Sequence, residues 1–580
     1  MNSFVGQSSK KIGKLFQQAN QLHMKGELEL ARQGYLQVLT EQPKHFDALH
    51  LLGVLACQTK DYALAVDYIN RAIQISPNPV FYYSIGVAYQ ELRQTADAEQ
   101  GYLSALRLRP KYFEALYNLG NLKRAQKDNQ QALFYFDQAL LIKPDYADAH
   151  YNRGNALKDL CQYDKAVQSF DSALALSRDY AQAYLNKGMA LKELGHFEAA
   201  LDCYSNALRV NPAYSDAYSN MGILQTELKR WPQAMRSFQE ALNLNPKHAQ
   251  ALWNKSLLLL LHGDFKGGFE LYSARWTEEV HISPILKTPK PWAGRAQGNL
   301  LCERLLIWSE QGIGDEVMFG ALLSRASSLA KQLIVQLDPR LLPLFKRSFP
   351  HCVFIPKGIE INESDFDQHM PIGQLAEIFC LSLEAFKAIP SHYLTCDPNR
   401  SCQIKENIYA KTSAKPIIGI SWRSKNDKNG AGRSMTVIDL MGALSMNSQG
   451  GFDPDRFTFV NLQYGATHEE ISQAREALGI NLLSIDDVDN YSDIDGLAAL
   501  IGACDAVVSI DNSTVHLCGA LGKPTFVLLP FSADWRWGLN STQSYWYPSL
   551  HLYRQDSAGA WAQPLFKLQS DLLKALGLRS

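Results

Sequence analysis

The chain has 580 residues, 46% of them hydrophobic, and its 57 lysines and arginines nearly balance 58 aspartates and glutamates. This length accommodates several domains, and the balanced charge gives no compositional argument for a nucleic-acid partner. The segment 1–18 lacks the apolar run of a secretory signal, and the longest apolar run, 257–261, is too short to span a bilayer. The ten cysteines include no CxxC pair, so we expect a reducing cytoplasm in which they act as small core residues.

A period of 34 residues runs through the first half of the chain. A Gly, an Ala, a bulky residue, a second Ala and often a Pro recur at fixed offsets, as in Gly120, Ala132, Phe136, Ala139 and Pro144. Small residues fit where antiparallel helices approach closely, the bulky residue fills the gap between neighbouring pairs, and Pro ends a unit. This spacing is the tetratricopeptide repeat (TPR) pattern. It predicts an α superhelix, a TPR solenoid of seven to eight repeats within residues 1–276.

A second series accompanies the repeats, because an asparagine stands two residues before the glycine position of five units. The series is Asn118, Asn152, Asn186, Asn220 and Asn254. We expect these amides to lie along the concave groove, where each could pair with the backbone of an extended chain. The row resembles the asparagine ladder of the O-GlcNAc transferase repeat domain, which implies a polypeptide or protein complex bound in the groove. The alternative is that each Asn contacts water or a neighbouring turn.

The repeats stop near Trp276, and we predict a linker over residues 277–300. Beyond it, short apolar runs alternate with amphipathic stretches, which is typical of a parallel α/β sheet. The predicted strands are 304–308, 333–337, 353–355, 417–422, 457–462, 506–510 and 525–529, and the predicted helices are 315–330, 340–348, 494–504 and 513–521. We expect two Rossmann-like domains, 301–410 and 411–580, that face a cleft and bind ligands beyond the carboxyl ends of their strands.

The first candidate motif follows the first of these strands. Gly312 and Gly314 form a glycine-rich turn that opens a helix, and Asp315 falls in its first turn. The glycines let the backbone approach a ligand, and a carboxylate at this point can take a proton from an acceptor hydroxyl. The alternative is that Asp315 merely favours the helix dipole. The spacing does not match the GxGxxG fingerprint, so a nicotinamide cofactor is not expected.

The second motif is a strand, a polar turn and a helix at residues 509–517. Asp511, Ser513, Thr514 and His516 occupy the turn and the start of the helix. Free amides at a helix start, together with the two hydroxyls, make a cradle for a pyrophosphate. The alternatives are ordinary capping by Asp511 to Ser513 and a core role for His516.

The third motif supplies cations. Arg423 and Lys425 follow the first strand of the last domain and could hold a diphosphate, with Arg433 joining from beside a glycine-rich loop. Gln463, at another strand end, is a candidate base or ribose contact. The alternative for these cations is solvated loop charge.

Together these segments resemble glycosyltransferase family 9, the heptosyltransferase-like enzymes of GT-B fold, in the subgroup preceded by TPRs. The resemblance is carried by EQGIGDEVMF, ISWRSK, NLQYG, VVSIDNSTVHLCGALGKPTFVLLP and DWRWG, spread over residues 300–554. It implies two Rossmann-like domains of GT-B type, an acceptor side at 301–410 and a nucleotide-sugar side at 411–580. It also implies metal-independent transfer with the nucleotide-sugar as co-substrate and no separate cofactor.

In that family the GxGD aspartate is the proposed base, which corresponds to Asp315, and the second motif corresponds to the donor-phosphate site. The usual Asp-Thr or Asp-Ser followed by Gly or Ala is here Asp511-Asn512-Ser513-Thr514, which leaves sugar and nucleotide open. Three acidic pairs imitate a metal-binding DxD, and for those at 487/489 and 493/495 we expect helix capping instead.

The sequence therefore predicts a glycosyltransferase that moves a sugar to a protein or large-glycan acceptor recruited by the TPR groove. One alternative is a non-catalytic TPR scaffold with a decayed transferase domain. Another is a glycan-assembly enzyme whose TPRs only tether it to a complex.

Overall fold

A computed structural model of the chain describes residues 2–276, 292, 302–424, 433–445, 453–557 and 559–577, with side chains from residue 10 onward. The chain divides into two compact units, Met1–Leu224 and Gln225–Ser580. The predicted linker, apart from Trp292, lies outside the described residues. The last described segment before residue 277 is the 3-10 turn Tyr272–Trp276. The last repeat helices belong to the second unit because they pack with the α/β part of the chain.

Antiparallel helix pairs build the first unit and open the second. Their bounds are α1 Asn2–Met24, α2 Leu28–Glu41, α3 Phe46–Gln58, α4 Tyr62–Ile75, α5 Pro79–Glu91, α6 Thr95–Leu108, α7 Phe113–Ala125, α8 Asn129–Ile142, α9 Ala147–Asp159, α10 Tyr163–Leu176, α11 Ala181–Glu193, α12 Phe197–Val210, α13 Ser215–Glu227, α14 Trp231–Leu244, α15 Ala249–Leu261 and α16 Phe265–Leu271. A 3-10 turn, Tyr272–Trp276, follows. Among the described residues this gives eight helix pairs, which confirms the predicted TPR solenoid.

The repeat spacing is explained by one contact inside each pair. A Cβ added to Gly120 would lie 2.7 Å from the Phe136 ring, and one added to Gly154 would lie 2.6 Å from Phe170. The bulky residue therefore covers the glycine of its own repeat, whereas the sequence interpretation placed it between neighbouring pairs. The alanines of the pattern are fully buried around this contact.

Two parallel sheets form the rest of the second unit. Their strands are β1 Cys302–Trp308, β2 Ala330–Leu337, β3 Val353–Pro356, β4 Gln368–Pro371, β5 Ile417–Ser421, β6 Thr458–Asn461, β7 Leu482–Leu483, β8 Ala506–Ile510, β9 Thr525–Leu529 and β10 Leu550–Arg554. The orders are β3-β2-β1-β4 and β10-β9-β8-β5-β6-β7, and the paired strands are parallel. The parallel α/β prediction is confirmed.

The remaining helices are α17 Ile313–Gly320, α18 Leu323–Ala326, α19 Leu342–Ser348, α20 Gln374–Phe379, α21 Leu383–Phe386, α22 Pro398–Lys411, α23 Val437–Ser445, α24 His468–Leu478, α25 Ile494–Ala503, α26 Ser513–Ala520 and α27 Ala562–Ala575. The single helix predicted over 315–330 is wrong. Helix α17 ends at Gly320, which lies against the Phe345 ring, and Ala330 already starts β2. Glycine is a weak helix former, which agrees with the end of α17 at this residue.

A buried arginine joins the last repeat helices to the first sheet. Arg275 is 0% exposed and donates to Glu310 through Nε at 2.8 Å and Nη2 at 3.0 Å. Its Nη1 donates to Glu377 at 3.2 Å, and the Gly373 amide donates to Glu310 at 2.7 Å. Because Glu310 lies between β1 and the Gly312 turn, this network fixes the turn that precedes Asp315.

The packing inside each repeat predicts how glycine substitutions behave. We expect Gly120→Val to lower the free energy of unfolding by about 2 kcal/mol, because the new side chain overlaps the buried Phe136 ring. Gly13→Val is the matched control, since a Cβ at this helical glycine meets nothing within 4 Å. Thermal melting followed by circular dichroism measures both, and equal effects would contradict the packing account.

Candidate functional site

A cavity of about 800 Å³ lies in the second unit where the carboxyl ends of β1 and β8 meet. The motif after β1 and the motif after β8 pack directly on each other, because a Cβ on Gly314 would lie 2.9 Å from His516 Cδ2. The sequence-predicted residues that line this cavity are Gly312, Gly314, Asp315, Arg433, Asp511, Ser513 and His516. Two motifs about 200 residues apart in sequence thus meet in one cavity.

Asp315 lies in a charged cluster with Arg536 and Asp534. Arg536 Nη2 donates to Asp315 Oδ1, and Arg536 Nη1 donates to Asp534 Oδ1 at 2.7 Å. Burial opposes the charge of Arg536, but the two carboxylates hold the pKa of its guanidinium above the ordinary value. The second oxygen of Asp315, Oδ2, accepts only a long 3.5 Å contact from the Gly312 amide among the described residues. That oxygen remains available to a ligand.

Asp511 presents a nearly buried carboxylate to the cavity. Its side chain is 7% exposed, and Arg433 Nη1 lies 3.3 Å from its Oδ2. That contact has the distance of an ion pair without hydrogen-bond geometry, so Oδ2 has no hydrogen-bond partner within the described part of the chain. Burial raises the pKa of Asp511, and Arg433 partly counters it.

His516 is buried between the two motifs. Burial, together with the charge of Arg536, lowers the pKa of His516 to about 3. Tyr393 donates its hydroxyl to the Val317 carbonyl at 2.8 Å. His516 Nδ1 shares a hydrogen bond of 3.0 Å with the Tyr547 hydroxyl, and Nε2 is the ring nitrogen nearer Gly314.

The start of α26 combines a cap with a cavity-lining residue. Asn512 Oδ1 accepts from the Thr514 amide at 3.1 Å, and Asn512 Nδ2 donates to Ser421 Oγ at 2.7 Å, which links β8 to β5. Ser513 lines the cavity. Thr514 is 0% exposed and does not line it, so the expected contact of this hydroxyl with a phosphate is not supported by its position.

The predicted cation set is arranged differently from the expectation. Arg423 Nε donates to Glu470 at 3.1 Å and its Nη2 donates to the Ala466 carbonyl at 2.7 Å, so its guanidinium faces α24 and does not line the cavity. Lys425 lies outside the described residues. Arg433, Arg340 and Arg536 are the arginines that line the cavity among the described residues.

Gln463 is a positioning residue in this structure. It is 1% exposed, and its Oε1 accepts from the amides of Trp422 and Arg423 at 2.9 Å each. The predicted contact of Gln463 with a base or ribose is not supported, because its oxygen is used to shape the turn after β5. The next residue, Tyr464, lines the cavity instead.

The acidic pairs make caps and ion pairs. Asp489 accepts from the Tyr491 amide at 2.8 Å, and Asp493 accepts from the Gly496 amide at 2.8 Å at the start of α25. Asp495 pairs with Arg347. The described residues hold no group of three or more His, Cys, Asp or Glu that could bind a metal ion. No helix in the described ranges has the length and apolarity needed to cross a membrane.

The asparagine row makes two kinds of contact. Nδ2 of Asn118, Asn152 and Asn186 donates to the hydroxyl of Tyr83, Tyr117 and Tyr151 respectively, at 2.9–3.1 Å. Asn220 and Asn254 instead donate to carbonyls of their own helices, Asp216 and Gln250. All five side chains are half-buried. Three of the amides thus pair with a tyrosine of the preceding repeat, a contact that neither the groove expectation nor the alternative of water or a neighbouring turn had named.

Sequence reasoning missed Asp534 and Arg536 as functional residues. Both lie in DWRWG, one of the segments that carried the family resemblance, although no role followed from that segment. Their importance comes from a contact with Asp315 across 221 residues of sequence, which no local pattern reveals.

Glu316, next to Asp315, is 1% exposed and joins the ends of two strands. It accepts from Ser309 Oγ after β1 and from the Asp338 amide after β2, the latter at 2.8 Å. Burial raises the pKa of Glu316 to about 7, although both hydrogen bonds oppose this. Glu316 therefore stabilises the turn that carries Asp315, and the charge of Glu316 depends on pH.

Comparison with known proteins identifies the repeats. Tetratricopeptide repeat family models match residues 22–78, 113–146, 147–180, 181–214 and 220–275. Protein FlbA of Caulobacter vibrioides is 30% identical over 336 residues, 55% of this chain and 54% of that protein. Human tetratricopeptide repeat protein 6 is 28% identical over 118 residues, 20% of this chain and 23% of that protein. The chain thus spans about half the length of FlbA and about a quarter of that human relative.

Two of the solved structures with similarity to this chain are described as TPR proteins. YrrB, described as a TPR protein with an unusual peptide-binding site, is 24% identical with a TM-score of 0.30, over 33% of this chain and 98% of that chain. The C-terminal part of a TPR repeat-containing protein from Cytophaga hutchinsonii is 17% identical with a TM-score of 0.36, over 41% and 98%.

Glu316 predicts a pH-dependent stability. Its folded pKa is raised, so the folded state binds the proton more tightly and the stabilisation is present below about pH 4.5 and lost as pH rises through about 7. Over that pH window the wild type should lose at most about 3 kcal/mol of its free energy of unfolding, and we expect Glu316→Gln to abolish this loss. Denaturation midpoints at pH 5, 6, 7 and 8 measure it. The exposed Glu360→Gln is the control, and parallel pH profiles for wild type and Glu316→Gln would contradict the assignment.

Proposed function

We propose that the protein is a glycosyltransferase that transfers a sugar from a nucleotide-sugar donor to a polypeptide recruited by its TPRs. The observation that carries this proposal is the meeting of Asp315 and the Asp511–His516 turn in one cavity at the carboxyl ends of two parallel sheets. This arrangement supports a donor on the β8 side and an acceptor on the β1 side, as the family 9 resemblance implies.

In the proposed reaction Asp315 is the general base. The acceptor hydroxyl gives its proton to Asp315 Oδ2, and its oxygen forms a bond to the anomeric carbon of the sugar. The bond from that carbon to the donor phosphate oxygen breaks, and its electron pair leaves with the nucleotide. Arg536 holds Oδ1, so the free oxygen of Asp315 has a defined orientation.

Cations and amides are proposed to stabilise the leaving phosphate. Arg433 lines the cavity beside Asp511, and Ser513 opens α26, whose helix start favours an anion. Preorganised donors of this kind do the work of a metal ion in a metal-independent transfer. Two parallel α/β domains of GT-B type are part of this proposal.

The repeats support a protein partner. TPRs are established over residues 22–275 with gaps, and we propose that their groove recruits the acceptor, with the asparagine row contacting its backbone. A glycan-assembly role, with the TPRs as a tether, differs from this proposal only in the acceptor.

A non-catalytic TPR scaffold is the second candidate, and the charge balance of the cavity favours it. Each arginine among the described cavity residues already has an acceptor. Arg433 lies beside Asp511, Arg536 contacts Asp315 and Asp534, and Arg340 contacts Asp338 and the Tyr491 carbonyl. A scaffold with a decayed transferase domain needs no more than this internally balanced cluster.

Donor turnover separates the two candidates. We expect purified full-length protein to release nucleotide from at least one member of a panel of UDP-, GDP-, ADP-, CMP- and dTDP-linked sugars. Asp315→Asn should reduce turnover about 10²–10⁴-fold, because it removes the proton acceptor. Asp453→Asn is the control, since Asp453 caps a 3-10 turn and does not line the cavity. An absence of both nucleotide binding and nucleotide release across the panel would support the scaffold.

A further inference from the structure

Two cations on the repeat helices of the first unit have no acidic partner. The guanidinium of Arg124 on α7 makes no hydrogen bond or ion pair with any described residue, and its Nε is buried. Lys158 on α9 donates only to the neutral Asn186 Oδ1, at 3.2 Å, within the described residues. Both side chains are half-buried, so neither is a fully solvated surface charge. Leaving partly desolvated cations without a counter-charge is unfavourable unless a ligand supplies one.

These cations lie in the same setting in two successive repeats. Tyr117, Asn121 and Arg124 share one face of α7, and Tyr151, Asn155 and Lys158 occupy the equivalent positions of α9. The Tyr117 hydroxyl meets the amides of Asn121 and Asn152. Asn155 is 6% exposed, and its Oδ1 has no hydrogen-bond partner in the part of the chain that is described. This surface, the cation patch, consists of these six residues together with Asn152 and Asn186.

The nearby acids do not neutralise the cation patch. Asp148 accepts from the Tyr180 hydroxyl at 2.9 Å, and Asp159 next to Lys158 forms no ion pair with it within the described residues. Burial lowers the pKa of Lys158, Asp159 opposes this, and the charge of Arg124 lowers it further. The two cations therefore repel each other across neighbouring repeats. An anion placed between them would remove both the repulsion and the missing counter-charge.

We propose that the cation patch binds an extended acidic segment of a partner polypeptide, with Arg124 and Lys158 pairing with side-chain carboxylates. Packed helices lie about 8–10 Å apart, which matches carboxylates two or three residues apart on an extended strand of about 3.3 Å per residue. The tyrosine hydroxyls and Asn amides beside the cations can serve the backbone of that strand. This inference rests on the recruiting role proposed for the TPRs, but not on sugar transfer.

Fluorescence anisotropy with full-length protein tests the proposal. The probe is a labelled, C-terminally amidated peptide of twelve alternating Ser and Glu residues, and its counterpart contains Gln in place of Glu. We expect the Glu peptide to bind in a salt-sensitive manner and the Gln peptide at least tenfold more weakly. The assay contains no sugar donor, so its failure is separable from failure of the transferase proposal.

Variants locate the binding. Arg124→Gln and Lys158→Gln should each weaken binding of the Glu peptide about tenfold, and Arg124→Lys should retain most of it. Lys111→Gln is the matched control, because Lys111 is an exposed cation in the turn before α7. Circular dichroism verifies that each variant keeps its helices, and the retained binding of Arg124→Lys separates lost charge from lost structure.

Four results would overturn the proposal. The first is an absence of binding of the Glu peptide, and the second is equal binding of the Glu and Gln peptides. The third is unchanged affinity in the Arg124→Gln, Lys158→Gln double variant. A peptide with a free C-terminus is a further arm, and binding that requires this free carboxylate would show recognition of a chain end and would also overturn it.

Discussion

The buried pair of Arg275 and Glu310 is the interaction on which the geometry of the cavity depends. Both side chains are at most 2% exposed, and losing one partner of such a pair typically costs about 3–5 kcal/mol, since it leaves an uncompensated buried charge. Glu310 also accepts from the Gly373 amide after β4, so one carboxylate joins the end of the repeats to two strand ends. The turn that carries Asp315 begins two residues later. The repeats are therefore part of the support of the site within the second unit.

The cavity itself is organised by charge sharing. Arg536 lies between Asp315 and Asp534 and contacts both carboxylates. Because the cluster is buried, the pKa of Asp534 depends on the charge of Arg536. Burial would raise the pKa of Asp534, but Arg536 and Arg433 hold it below the ordinary value. An anionic ligand that enters this cluster must compete with carboxylates already in place. Binding of an anion to Arg433 or Arg536 would therefore change their contacts with Asp511 or Asp315.

Sequence patterns predicted the helices and strands more accurately than they predicted the contacts between side chains. The 34-residue period and the strands around 304–308 and 506–510 depend on burial that repeats along the chain, so they could be recognised without a structure. β7 has two residues and β4 begins with polar Gln368, which leaves no apolar run to detect. The position of Arg423 after β5 was predicted, but its rotamer depends on Glu470, which is 47 residues away in sequence. Strand ends could be predicted, whereas the directions of long side chains could not.

The asparagine row illustrates how a repeat can combine packing with recognition. Tyrosines stand 35 residues before Asn118, Asn152 and Asn186, whereas Leu185 and Ser219 stand at that offset before Asn220 and Asn254. Only the first three amides therefore find an inter-repeat hydroxyl, and the other two turn back to their own helices. The repeats with the Asn–Tyr pairs are also those that place Arg124 and Lys158 beside them. A ligand would thus meet rigid, preoriented donors there, which reduces the entropy lost on binding.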